Sequence, residues 1–201
     1  MGDVQFRRGE LDAAETSYRE AIKISTEQKD KPGVALGSMS LAQINLERHR
    51  LPEAEQQALD AIQKLKEAPD ANLEATADSI LLRILVDEHR LPEAEGYADR
   101  IRKIASEDPD TNFENRMSLA EYLAATGHKT EALEQIRTLP ADAKQHGRNF
   151  AELEAELLLL KLETDQRTSL ASRTQALSSI RKRAERAGFK LLISQAGHDQ
   201  V

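Results

Sequence analysis

Chemistry in this chain would have to come from histidines, carboxylates or basic clusters, because it contains no cysteine and no tryptophan. Thiolate metal sites and disulfides are excluded with the cysteines. His49, His89 and His128 recur near equivalent turns and raise the question of a metal row. Stacked helix layers lie about 8–10 Å apart, too far for adjacent turns to share an ion held by ~2 Å bonds. Solvated turn histidines are the reading that geometry favours. The stretch GHKT at 127–130 lacks the preceding glycine-rich loop of a phosphate cradle. No nucleophile elbow, dinucleotide glycine fingerprint or His-Glu-x-x-His zinc motif is present. Carboxylate pairs such as Glu152 with Glu156 are ordinary on helix surfaces, and no aromatic neighbour in sequence would desolvate them. Catalysis, cofactors and metals therefore have no candidate residues, and a non-enzymatic role is expected.

One charge cluster stands apart. Between 168 and 190, Arg173, Arg181, Lys182, Arg183, Arg186 and Lys190 face Glu185 alone, in a chain whose net charge is −7. The strip is either a solvated helix face or a docking strip for an acidic partner. The acidic balance of the whole argues against general phosphate-backbone binding, so no nucleic-acid partner is expected. No apolar run approaches the ~18 residues of a membrane span, and the start lacks the order of a signal peptide. No membrane partner and a cytoplasmic setting are the expectations.

The elements that must position any site are written in a repeat. HRLPEAE occurs at 49–55 and again at 89–95, an offset of 40 residues. GELDAAE at 9–15 and GHKTEALE at 127–134 extend the series, aligning Ala14, Ala54, Ala94 and Ala132. Asp30, Asp70 and Asp110 keep the same period. Periods of this length mean stacked supersecondary units that bury their apolar faces against one another. Each unit reads as two helices. In LPEAEQQALDAIQKL, Leu51, Ala54, Ala58, Ala61 and Ile62 recur at helical spacing. Pro52 suits the first helical turn, and Glu53 and Glu55 complement the dipole there. Asp30, Asp70 and Asp110, or a neighbouring Ser or Thr, cap the partner helices. With 39% hydrophobic but only 3% aromatic residues, the core must be aliphatic and small, which suits helix-on-helix packing.

These units resemble the tetratricopeptide repeat (TPR), in a longer version than its usual ~34 residues. The likeness rests on Gly9, Leu11, Ala14, Tyr18 and Ala21, on Leu41, Ala42, Leu51, Ala54, Ala58 and Ala61, on Leu81, Leu85, Leu91, Ala94 and Ala98, and on Leu119, Ala120, Leu123, Gly127 and Ala132. Leu82 stands where the family has a small residue, Asn45 where it has an aromatic, and Ile101 and Leu139 replace late alanines. The resemblance covers roughly residues 2–140. It implies an all-α fold, a right-handed solenoid of antiparallel helix pairs whose first helices line a concave groove. Four units are expected over 1–140, the first truncated. Residues 141–201 are expected to continue the same solenoid as a divergent fifth pair and a half-unit beginning at FKLLISQA.

LPADAKQHGRN is expected as a loop, GHDQV as a fraying end, and the start as part of a longer chain with apolar surface bared beside Leu11, Ala14 and Tyr18. The family binds segments of other proteins, and its long form resembles arrays in bacterial regulators and kinases. Its groove positions fall here on Met39, Gln43, Leu46 and Glu47, then Ser79, Arg83, Val86 and Asp87, then Met117, Glu121 and Ala124. The Lys and Asn clamp of the chaperone-binding arrays is absent. A protein or peptide partner is implied; a small effector in the groove, or self-association through solenoid ends, are the alternatives.

Overall fold

A computed structural model describes residues 1–104, 106, 108–163 and 170–198, and every regular element among them is helical. In chain order these are α1 (Gly2–Arg7), α2 (Leu11–Glu27), α3 (Lys31–Glu47), α4 (Leu51–Leu65), α5 (Ala71–Asp87) and α6 (Leu91–Lys103). They continue with α7 (Pro109–Ala125), α8 (Lys129–Ile136), α9 (Leu139–Gln145), α10 (Asn149–Leu162), α11 (Leu170–Ala187) and α12 (Lys190–His198). Consecutive helices pack on each other from α1 to α8 and from α9 to α12, and α10 also touches α7 and α8. The expected fraying of GHDQV falls at 199–201 outside the described residues.

The repeat has a backbone cause. At the turns after α1, α3, α5 and α7 one residue takes a left-handed conformation: Gly9 (φ 70°), His49 (φ 54°), His89 (φ 57°) and Gly127 (φ 85°). The next N–H then reaches five residues back, Glu10 to Gln5, Arg50 to Asn45, Arg90 to Leu85 and His128 to Leu123, at 2.7–2.9 Å. This 6→1 closure satisfies a carbonyl that the helix end would orphan. His128 is consequently not the equivalent of His49 and His89, as its sequence position suggested; Gly127 is. The three histidines do not form one series.

Helices α3, α5 and α7 are each 17 residues long, but they start 40 and then 38 residues apart. The missing pair comes from α6, which is 13 residues long where α4 has 15. Asp30 accepts from Gly33 N–H at 3.1 Å and Asp70 from Asn72 and Leu73 N–H at 3.0 Å, as caps should. Asp110 does not. Asp108 is the cap, accepting from Thr111 N–H at 2.7 Å, because Pro109 fits only the first turn and draws the helix start forward. The expected loop LPADAKQHGRN also requires correction. Its first part is α9, with Pro140 in the opening turn and Leu139 and Ala143 buried.

The repeated alanines make the crossings. Ala14, Ala54, Ala94 and Ala132 are all 0% exposed. Leu46, Ala54, Ala58, Leu81 and their neighbours form one cluster through α3, α4 and α5. Leu85, Ala98 and Leu119 carry the core onward to α7. At the beginning of the chain the expected bare apolar patch is covered instead. Tyr18 packs its ring on Gly2, where a Cβ would come within 2.5 Å of Cε1, and its hydroxyl donates to Asp3 at 2.7 Å.

Candidate functional site

Alternate helices from α1 to α7, joined by α10 and α12, turn faces inward and with Leu11 and Tyr18 of α2 line two adjoining chambers of about 420 and 460 Å³. Their walls come from α1, α3, α5, α7, α10 and α12, with the turns at Gly9, His49 and Gly147. Leu46, Glu47, Arg83, Glu154 and Leu191 face both chambers. The inner layer closes where α1 meets α12.

Carboxylates dominate the middle of this cavity. Arg83 on α5 reaches across and donates from Nε to Glu121 on α7 at 3.1 Å. That carboxylate, before any other cause, holds the guanidinium charged. Glu47 accepts from Gln195 Nε2 through both oxygens at 3.0 Å. Glu114 and Glu154 receive no hydrogen bond from another described residue. Burial raises both, with Arg83 opposing; for Glu154 the neighbouring Glu114 adds to the rise and takes it to about 8. Two half-buried carboxyl groups lining one chamber each make the other harder to ionise. Such a wall favours a cationic group, whose arrival would let both ionise.

Seven of the eleven inner positions implied by the family resemblance face the cavity: Gln43, Leu46, Glu47, Arg83, Asp87, Met117 and Glu121. The other four are engaged in packing. Met39 is 2% exposed within the α3–α5 cluster, and Ser79, 1% exposed, donates to Asn115 at 2.7 Å. Val86 packs on the cluster of Leu82, Leu85 and Tyr122, and Ala124 on that of Leu123 and Leu158. The sequence reading missed Arg7, Glu114, Glu154 and Gln195. Glu114 carried a signal, since it lies seven residues before Glu121 and thus on the same face of α7. Glu154 carried a weaker one, a carboxylate inside the apolar stretch FAELEAELLLLKL.

The basic strip does not lie on one face. Arg183 turns inward to Glu152 at 3.2 Å and to Glu156, while Lys182 and Arg186 are exposed on α11 and Lys190 abuts Gly9 from α12. Arg173 and Arg181 are half-buried. Among the described residues no group of His, Asp and Glu is placed to hold a metal ion, and no helix is long and apolar enough to cross a membrane. Comparison with known protein families, curated proteins and solved structures returns no match.

Proposed function

We propose that this chain is a tetratricopeptide-like α-solenoid whose central cavity holds a segment of another protein, one presenting a basic side chain beside apolar anchors. The observation that carries the reading is the cavity wall itself. Successive helix pairs contribute to it, and it sets Glu114 and Glu154, which have no hydrogen-bond partner among the described residues, beside Leu46 and Leu191. A wall of this kind matches a ligand with both characters. The 40-residue period and the recurring turn at Gly9, His49, His89 and Gly127 support the solenoid assignment.

Selection of random peptides displayed against the full chain tests this. Sequences enriched in Lys or Arg among aliphatic residues are expected, with binding weakened by Glu114→Gln combined with Glu154→Gln. Binding should also strengthen as pH rises toward and through about 8, where Glu154 gives up its proton. The control is the outer pair Gln57→Lys and Asp99→Lys. Peptides lost on the outer change but retained on the inner one would refute the assignment. Leu46→Arg and Val86→Arg are unsuitable probes, because both side chains take part in apolar clusters.

A small cationic effector is the second reading, favoured by chamber volumes that fall in the usual small-ligand range of ~300–1,000 Å³. End-to-end self-association would use surfaces of α1 and α12 that here meet each other.

A further inference from the structure

The junction that closes the inner layer is built unlike the others. Between neighbouring helices elsewhere, buried apolar clusters run continuously, from α3 through α5, from α5 to α7, and from α7 to α10. The cluster around Ala14 and Tyr18 at one end includes Phe6 of α1; the cluster around Leu153 and Ile180 at the other includes Leu192 of α12. These two share no residue, so among the described residues no apolar cluster bridges α1 and α12.

What does cross is polar or sparse. Gln195 on α12 donates to Glu47 on α3. The Arg7 guanidinium on α1 sits 5.4 Å from the centre of the Phe150 ring on α10. Gly9 lies so close to α12 that an added Cβ would be 3.3 Å from the backbone nitrogen of Leu191. Water can take over an amide-to-carboxylate hydrogen bond when the junction parts, and a partly solvated cation–π contact is weak. Parting this junction splits no buried apolar cluster. The enclosed volume points the same way: chambers near 420 Å³ suit a small ligand, whereas a helical segment needs a channel ~10–12 Å across.

We propose that the contact of α1 and α3 with α10 and α12 is a clasp, which opens to admit a partner segment to the central cavity and closes in its absence. This rests on the partner-binding reading of the cavity, but the motion can be measured without any partner. The chain has no cysteine, so spin labels can be placed uniquely at Val4→Cys on α1, which is 53% exposed, and at Ser194→Cys on exposed α12 surface. In the full chain a short inter-label distance is expected to dominate. Gln195→Glu, which sets one carboxylate against another at Glu47, should add a population longer by about the width of a helix, ~10 Å. Should that variant fail to fold, Gln195→Ala and Arg7→Ala remove the crossing contacts without adding repulsion and should shift the distribution the same way. Unchanged short distances in folded Gln195→Ala and Arg7→Ala chains would overturn the clasp. Peptides selected on the wild type should bind the Gln195→Ala chain several-fold tighter, since opening no longer opposes them; equal affinity also counts against the clasp. Loss of peptide binding with an intact opening transition would instead sink the partner reading alone.

Discussion

The two copies of HRLPEAE join α3 to α4 and α5 to α6, and their comparison separates what a repeat preserves from what it leaves to drift. Backbone and small-residue packing are preserved. Both histidines take the left-handed conformation, both prolines enter the first helical turn, and Ala54 and Ala94 are both 0% exposed. The ion pairs are not preserved. Just before the first copy the cation is Arg48, at the end of α3, which holds Glu15 at 2.6 Å and Asp12. In the second, Glu88 stands at that place, and Arg90 two residues later binds Glu55 at 2.9 Å, Glu88 at 2.6 Å and Glu93 at 2.7 Å. Steric fit at a crossing is short-ranged and tolerates few residues. A surface charge is satisfied by whatever opposite charge its long side chain can reach.

The largest break in this symmetry is buried. Leu82 occupies the place of Ala42, and both are 0% exposed. Leu82→Ala should therefore leave a cavity and cost about 2–5 kcal/mol, while Ala42→Leu should overpack and cost about 1–3 kcal/mol. Chemical denaturation of both variants checks this; a Leu82→Ala chain as stable as the parent would mean that the two positions are not packed as described. Ala54→Leu and Ala94→Leu should each cost about 1–3 kcal/mol, and by similar amounts, because the crossings are equivalent. A cost at one site only would split the two units.

That equivalence was legible in the sequence because it is carried by residue types with few substitutes: alanine at close crossings, proline in a first turn, and a residue able to adopt positive φ. The all-helical architecture followed from the same signals. Where the reading failed, a local competitor had intervened. Asp110 looked like a cap by its period, but Pro109 moved the helix start and passed the role to Asp108. The segment 139–149 was expected as a loop, yet over 139–145 Leu139 and Ala143 have a core to bury into. The cavity was half legible. The family resemblance implied inner positions on α3, α5 and α7, of which seven line the cavity, whereas Glu154, Arg7 and Gln195 lie on helices outside the clean repeat. Their convergence depends on α12 returning to meet α1, a long-range contact that no local pattern encodes.

A smaller effect tests the turns. His49 and His89 are exposed and hold φ near 55°, where Gly9 and Gly127 stand at the equivalent turns. His49→Gly and His89→Gly relieve left-handed strain but add freedom to the unfolded chain, so each should stabilise by no more than about 1 kcal/mol. Thermal melts would detect it, and a loss of stability at either site would show that added unfolded-state freedom or a lost imidazole contact outweighs the relieved strain.

The smallest effects lie in the rewired ion pairs, and they sharpen the contrast because their order runs against the number of partners. Arg48 has two carboxylates and a side chain 15% exposed; Arg90 has three but is 35% exposed. Screening by solvent weakens the second set, so Arg48→Ala should cost up to about 1 kcal/mol and Arg90→Ala less than that. The hydrogen bond from Arg48 holds the Glu15 carboxyl below the ordinary glutamate range. A depressed carboxylate stabilises the fold above its unfolded pKa of about 4.3 and loses that contribution as pH falls through the lower folded value. The penalty of Arg48→Ala should accordingly be full at pH 7 and shrink on acidification below about 4. Urea melts of the parent and Arg48→Ala chains at pH 7 and at low pH measure the difference. A penalty independent of pH would mean that Arg48 acts by packing its methylene stem over α2, and the first junction would then owe its electrostatics to neither Glu15 nor Asp12.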